Sequence, residues 1–299
     1  MEDFELTLFD RLEIIKTTIQ NYGEDNFYIS FSGGKDSTVL HHLIDLALPN
    51  NTIPRVFIDT GIEYNSIVKF VNHLVETDKR IIIINSGINI KKMLEQKGYP
   101  FKSKEHSLRV EQFNKGSNAK FINKYTWKTD YRGQYLCPKL LLYQFEKRGL
   151  YNYSNKCCLE LKKKPIHKWA KENNKTITIT GMKREEGGNR KHIASCILTN
   201  KNGKIVKFHP LLVVSNEFED WFIDKYNIKL CELYYPPYLF KRTGCKGCPY
   251  SIDLQEQLTK MSIYLPIERK QCEMLWKPIY EEYRRLNYRL SKTEQLKLF

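Results

Sequence analysis

Phe27-Tyr28-Ile29-Ser30-Phe31-Ser32-Gly33-Gly34-Lys35-Asp36-Ser37 is the stretch that decides how this chain folds. Phe27 to Phe31 is a short apolar run rich in β-formers, and the glycine pair stops it. From Asp36 to Ala47 the apolar residues return at helical spacing, at Val39, Leu40, Leu43, Ile44 and Ala47. The segment therefore reads as a buried strand, a glycine turn and a helix. Each residue type in the turn has a chemical use. Gly33 and Gly34 let the main chain bend sharply and approach a ligand with no Cβ in the way. Their N–H groups, with those that open the helix, make an anion nest that the helix dipole reinforces. Ser32 and Ser37 add hydroxyl donors, Lys35 a mobile positive charge, and Asp36 a carboxylate suited to magnesium or to capping the helix. The spacing is not that of the GxxxxGK[ST] phosphate loop.

Outward from this turn the first half alternates strand and helix. Leu8, Phe9, Leu12, Ile15 and Ile19 predict an amphipathic opening helix. Arg55–Asp59 reads as a second strand, followed by Thr60–Gly61 and a helix to about Glu76. Arg80–Asn85 reads as a third strand, and Ile90–Gly98 as a further helix. Strand signals return at Thr176–Thr180 and Ile205–Phe208. Continuous apolar strands separated by helices predict a parallel sheet covered on both faces. Residues 102–156 are more polar and aromatic, with turn signals at Gly116 and Gly133, and read as a helical insertion or lid. Everything after about Asp253 reads as helix. The expected architecture is α/β, a doubly wound and mostly parallel five-stranded sheet, with residues 1–250 as one nucleotide-binding domain and 251–299 as a helical C-terminal extension.

Composition narrows the function classes. Of 299 residues 41% are apolar and 28% charged, the balance of an ordinary globular chain. No apolar run is long enough to span a membrane. Glu2, Asp3, Glu5 and Asp10 speak against a secretory signal, so a cytoplasmic setting is expected. The net charge of +15 suits either a solvated Lys-rich surface or an electrostatic footprint for a polyanion, nucleic acid or phosphorylated small molecule.

Eight cysteines in such a chain argue against a disulfide framework. Their uneven placement, with Cys157–Cys158 adjacent and Cys245/Cys248 in a CxxC, points to metal ligation. Gly247 frees the CxxC turn so that both sulfurs face one centre. Two cysteines from each block supply four thiolates, enough for a [4Fe–4S] cluster or a tetrahedral zinc site. Adjacent side chains diverge, which suits the several corners of a cluster better than a single zinc ion. Merely buried or redox-active thiols remain the third reading.

With both blocks in place, the chain resembles the phosphoadenosine phosphosulfate reductase family, within the adenine nucleotide alpha-hydrolase-like ATP-pyrophosphatase superfamily. The resemblance runs over about residues 25–250, on FSGGKDS at 31–37, FIDTGIEY at 57–64, CC…KKKP at 157–165, GMKREEGGNR at 181–190 and GCKGCPY at 244–250. It implies nucleotide bound at the carboxyl ends of the strands, the place expected for open α/β sheets. It also implies ATP and Mg2+ held by Ser32, Gly33, Gly34, Lys35, Asp36, Ser37, Asp59, Thr60, Gly181, Arg184 and Arg190, with Lys35, Asp36 and Arg184 in catalytic roles. The CC…CxxC arrangement is similar to the cluster-binding pattern of adenylylsulfate reductases, with Cys157, Cys158, Cys245 and Cys248 as ligands. It also looks like that of the ATP-pyrophosphatase component of DNA phosphorothioation systems.

Two departures separate this chain from the reductases it resembles. Those enzymes attack sulfur with a cysteine in an ECGLH-like tail, whereas Ser291–Phe299 contains no cysteine and Cys272 sits in a different context, Lys270-Gln271-Cys272-Glu273. True reductases also carry an altered loop, whereas SGGKDS is intact here. Both departures favour ATP-dependent sulfur transfer to an acceptor such as DNA, tRNA or a small molecule, fed by a sulfur-donor protein such as a cysteine desulfurase. The alternatives are a reductase of adenylylsulfate or phosphoadenylylsulfate that uses Cys272 or a partner's thiol, and a nucleotide-binding redox sensor without turnover. Cys137 is a candidate sulfur acceptor. Asp59–Thr60–Gly61 is equally an ordinary turn, and Lys183, Arg184 and Arg190 are equally a solvated basic turn or oxyanion clamps. His41, His42, His73 and His106 read as structural, and His209-Pro210-Leu211-Leu212 as packing or nucleotide contact. Leu233–Phe240 reads as an aromatic shield for the cysteine site.

Overall fold

In a computed structural model, residues 4–116, 119–127 and 136–292 are described. The expected turn at Gly133 and the last residues of the expected C-terminal extension lie outside them. The chain runs α1 (Phe4–Tyr22), β1 (Phe27–Phe31), α2 (Lys35–Ala47), β2 (Arg55–Asp59), α3 (Asn65–Thr77), β3 (Ile81–Asn85), α4 (Ile90–Lys97), α5 (Lys104–Asn114) and α6 (Ala119–Trp127). It continues with α7 (Lys164–Glu172), β4 (Ile177–Ile179), β5 (Ile197–Thr199), β6 (Ile205–Phe208), α8 (Asn216–Lys225), α9 (Leu254–Tyr264), α10 (Pro266–Leu275) and α11 (Lys277–Leu286).

The strands form one six-stranded sheet in the order β3-β2-β1-β4-β6-β5. All neighbours are parallel except the edge pair β5 and β6. The sheet therefore has one strand more than the sequence predicts. Ile197–Thr199 is too short and too exposed to show a period, and it pairs only as a hairpin back onto β6. Side chains alternate across the sheet. On one face Tyr28, Val56 and Ile58 pack against Ile166 and Ala170 of α7. On the other, Phe31 lies 6.1 Å from the His41 ring of α2. Helices on both faces explain why β1 and β2 are apolar along almost their whole length. The chain leaves β3 at one edge and returns as β4 on the far side of β1, so the strand order reverses between β1 and β4. In open α/β sheets ligands are expected at the carboxyl ends of strands beside such a reversal, and the turn after β1 lies at one of them.

Two compact units account for the chain. One comprises residues 1–86 and 164–244 and carries the sheet; the other comprises 87–163 and 245–299. The chain does not divide at residue 250: helices α9, α10 and α11 belong to the same unit as α4, α5 and α6. The reason is visible in the second unit, where tyrosines of α11 bond to carbonyls of the CxxC loop. Tyr280 bonds to the Gly247 carbonyl at 2.5 Å and Tyr283 to that of Pro249 at 2.8 Å. Among the described residues no helix is long and apolar enough to cross a membrane.

Candidate functional site

In the sheet-bearing unit, the turn after β1 is built mostly by main chain. Gly33 has φ +68°, a left-handed conformation, and a Cβ there would stand 2.8 Å from Val71 Cγ2 and 3.1 Å from Ile67 Cγ2. Gly34 is the N-cap of α2 and brings no capping side chain of its own. The hydroxyls of Ser32 and Ser37 are 2.9 Å apart, and Ser37 also donates to the Gly34 carbonyl at 2.9 Å. The Ser32 N–H donates to Ser37 Oγ at 3.2 Å, which closes the turn on itself. The Gly34 N–H likewise donates to Ser32 Oγ at 3.3 Å, so the turn is internally bonded and sits at the N-terminus of α2, a place suited to anions.

Tyr234 completes the turn, and sequence reasoning missed it. Its hydroxyl accepts from the Lys35 N–H at 2.9 Å and shares a hydrogen bond of 2.6 Å with Thr243 Oγ1. The segment Leu233–Phe240 was expected to shield the cysteines; its Tyr234 instead serves the glycine turn within the sheet-bearing unit. Phe240 stacks edge-on against Tyr64 at 5.2 Å in the same unit.

Behind the turn lies a buried charge cluster. Lys183, only 2% exposed, reaches Asp36 Oδ1 at 3.1 Å, Glu219 Oε2 at 2.5 Å and Asn216 Oδ1 at 2.7 Å. Burial works against the charged ammonium, but the carboxylates of Glu219 and Asp36 outweigh it and raise the Lys183 pKa. Glu219 is fully buried; burial first, and then the neighbouring Asp36 carboxylate, raises its pKa despite Lys183. Gly181 permits this packing. A Cβ there would meet the Asp36 main-chain oxygen at 2.8 Å and its carbonyl carbon at 3.0 Å. Asn216 and Glu219 carry no motif in the sequence; the alternation of acidic and aromatic residues in α8 is the one available signal.

The other expected ligands are spent on local structure. Arg184 donates from Nε to the Ile193 carbonyl and from Nη2 to the Ala194 carbonyl, both at 2.9 Å, so its fork staples a loop. Arg190 is paired with Glu186, which Arg242 also approaches at 3.3 Å. The Asp59 carboxylate accepts from the Gly61 N–H at 2.9 Å, and the Thr60 N–H and hydroxyl are both bound to Glu63. Thr60 is buried, so this is the ordinary turn that the sequence allowed. Lys35 lies beside Asp220 near the surface. His209 stands at the end of β6, bonded through Nδ1 to the Thr180 hydroxyl at 2.7 Å. Its buried Nε2 has no partner, and burial first, then Lys207, depresses its pKa to about 4.

The second unit carries all four cysteines of the two blocks, Cys157, Cys158, Cys245 and Cys248. Cys157 and Cys158 open a helical segment that passes into a π-helical turn at Leu159–Lys163, a distortion common at functional sites. Burial, then Cys158, Cys245 and Cys248 in turn, raises the Cys157 pKa. Burial and then Cys245 push Cys248 up to about 12. Gly247 has φ +61°, and a Cβ there would stand 2.4 Å from the Tyr280 hydroxyl and 2.8 Å from Cys272 Sγ. Cys272 thus packs under the CxxC loop. It is 1% exposed, and burial pushes its thiol to about 12. Cys137 has no exposure and is pushed to about 11 by burial. Neither thiol is available to attack a substrate in this structure. His106 is buried between Tyr125 and Gln144, whereas His73 is exposed.

Among the described residues, His41, Asp45 and Asp78 are the group whose ligand atoms lie within 4.8 Å of one another. Those carboxylates are already neutralised, Asp45 by Arg55 at 2.6 Å and Asp78 by Arg80 at 2.8 Å.

Comparison with known proteins follows the same lines. A protein of Methanocaldococcus jannaschii described as uncharacterized is 33% identical over 93 residues, which are 30% of this chain and 22% of that protein's length. The phosphoadenylyl-sulfate reductase of Candida auris is similar at 14% identity over 74% of this chain and 88% of that one, with a TM-score of 0.40. The NH3-dependent NAD synthetase of Campylobacter jejuni is similar at 13% identity over 95% and 96%, with a TM-score of 0.41. The FMN adenylyltransferase of Candida glabrata, in complex with FAD and inorganic pyrophosphate, is similar at 14% identity over 78% and 59%, with a TM-score of 0.46. The family model described as phosphoadenosine phosphosulfate reductase domain matches residues 26–134 and 135–251, and the chain belongs to that family.

Proposed function

We propose that the protein is an ATP-dependent sulfur-transfer enzyme. ATP binds with its phosphates on Ser32–Ser37, and Asp36 takes a magnesium ion that neutralises phosphate charge. An oxygen of the acceptor attacks the α-phosphorus; the bond to the bridging oxygen breaks, and pyrophosphate leaves with the electron pair. The protein's share in this step is positioning and charge neutralisation by the N–H groups of Gly33, Gly34 and the first turn of α2. The observation that carries the reading is the intact glycine turn, closed by its own serine hydroxyls and set at the N-terminus of α2.

Cys157, Cys158, Cys245 and Cys248 would hold a [4Fe–4S] cluster. The donor set supports this. In a tetrahedral zinc site with bonds of about 2.3 Å, thiolate sulfurs lie about 3.8 Å apart. Adjacent Cys157 and Cys158 point their side chains apart, which suits the several corners of a cluster better than one zinc ion. When bound, the cluster supplies iron for holding sulfur. The acceptor is a nucleic acid, DNA or tRNA, in keeping with the charge of +15, and a cysteine desulfurase is a fitting sulfur donor.

Family membership also favours a second reading, reduction of adenylylsulfate or phosphoadenylylsulfate. The burial of Cys272 and Cys137 weighs against it, because the attacking thiol would have to come from a partner. Anaerobic purification with iron and sulfide analysis, followed by pyrophosphate release from ATP with and without DNA or tRNA, separates the two. About four irons per chain and pyrophosphate release stimulated by nucleic acid support sulfur transfer. Sulfite from adenylylsulfate, without pyrophosphate from ATP, supports the reductase.

A further inference from the structure

Lys183 has three ammonium hydrogens and meets three acceptors: Asp36 Oδ1 at 3.1 Å, Asn216 Oδ1 at 2.7 Å and Glu219 Oε2 at 2.5 Å. The acceptors differ in one respect. Glu219 is fully buried, whereas the Asp36 side chain is 41% exposed and lies in the glycine turn. Asp36 is thus both the weakest hold on the ammonium and the acceptor open to an incoming ligand. The two α8 residues keep hold of the ammonium when the Asp36 contact is given up. The close approach of Gly181 to the Asp36 main chain holds the segment leading to Lys183 against the turn.

We propose that Lys183 is a tethered stand-in for the divalent cation: its ammonium neutralises Asp36 in the nucleotide-free protein and passes to a phosphate oxygen when metal and nucleotide arrive together. The idea rests on the ATP reading above and adds to it the residues that make metal binding depend on nucleotide. A divalent cation on Asp36 and an ammonium beside it repel each other, so each weakens the other's hold on the carboxylate. Metal alone therefore competes with Lys183 for Asp36 and leaves one ammonium hydrogen without an acceptor. Metal with a polyphosphate provides both the displacing charge and an acceptor for the freed hydrogen. Asn216 and Glu219 act through Lys183 and are positioning residues.

The test is equilibrium binding of Mn2+, followed by its electron paramagnetic resonance signal, to the full chain with and without the non-hydrolysable analogue AMPCPP. The variant K183M/E219Q removes the competing ammonium together with the buried carboxyl that holds it. The expected result is about tenfold tighter Mn2+ binding than wild type without nucleotide, a gain that shrinks or reverses with AMPCPP. K183M alone gives the same comparison if the double variant does not fold, and D36N abolishes the Mn2+ site in each background. Nucleotide-free Mn2+ affinity that is equal in wild type and variants, with AMPCPP still bound, overturns the stand-in role and leaves the ATP reading intact. Failure of wild type to bind AMPCPP with Mn2+ overturns the ATP reading itself.

Discussion

The glycine turn and the cysteine site solve the same problem, ordering a polar ligand site, by opposite means. The turn is made of main chain within one contiguous stretch, so its fragile points are places where a Cβ would intrude. The cysteine site is made of side chains from two separated segments, and its loop is fixed by hydroxyls of a third, α11. A main-chain site should tolerate loss of side chains and reject their addition. A side-chain site should do the reverse except at Gly247, where the α11 tyrosine and Cys272 close in.

The largest expected effect tests the main-chain half of this contrast. Gly181→Ala drives a Cβ against main-chain atoms of Asp36 that have no rotamer to move to. It should cost about 3 kcal/mol or more of stability and most of the affinity for AMPCPP, read by urea unfolding and calorimetry. Ser32→Ala, by contrast, removes one exposed hydroxyl and should cost only about 1 kcal/mol in binding. Equal losses in the two variants would erase the contrast.

For the side-chain half, Cys158→Ser or Cys245→Ser should lower the iron content from about four per chain to below one, measured after anaerobic purification. Retention of full iron by both variants would remove these residues from the ligand set.

Acid provides a third handle. Burial first, with Lys102 adding, depresses the pKa of His106 to about 3 in spite of its bond to Gln144. The unfolded chain therefore takes up the proton first, near pH 6.5. The contribution is full above that value and is lost as pH falls toward 3, at up to about 1.4 kcal/mol per pH unit. A urea midpoint that falls from pH 6.5 downward in wild type, and less steeply in H106N, is the expected outcome. A midpoint insensitive to pH in this window would contradict it.

Smaller effects sharpen the comparison. Tyr280→Phe or Tyr283→Phe leaves a carbonyl of the CxxC loop without its hydroxyl and should cost about 1–2 kcal/mol each, seen as faster iron loss to a chelator. Arg184→Ala should leave AMPCPP affinity unchanged within about twofold, at a stability cost of about 1 kcal/mol for the lost carbonyl bonds. A large loss of affinity would restore Arg184 to the nucleotide site.

What was legible in the sequence follows from the same contrast. β1, the glycine turn and α2 are contiguous, so their periodicity and residue types reveal them before any fold is known. The two cysteine blocks stand out as candidate donors because adjacent cysteines and a CxxC are conspicuous in any sequence. The Asp36, Lys183 and Glu219 cluster was not legible. Lys183 looked like one cation of a basic turn, and Glu219 like one acid of a polar helix. Only the crossing of β4 beside β1 and the packing of α8 bring them together. Arg184 misled for the same reason, since a guanidinium fork suits carbonyl oxygens as well as phosphates. β5 escaped because three residues at a sheet edge carry no measurable alternation. The tyrosines of α11 read as an amphipathic stripe, and nothing in their spacing says which carbonyls their hydroxyls reach.

The most direct test of the account is the fate of ATP labelled at the α-phosphate, incubated with the anaerobically purified protein, Mg2+ and DNA or tRNA. The account predicts that the label leaves as AMP or remains attached to the acceptor, with unlabelled pyrophosphate as the other product. Label found in ADP, with inorganic phosphate released, would contradict cleavage between the α and β phosphates and with it the proposed chemistry.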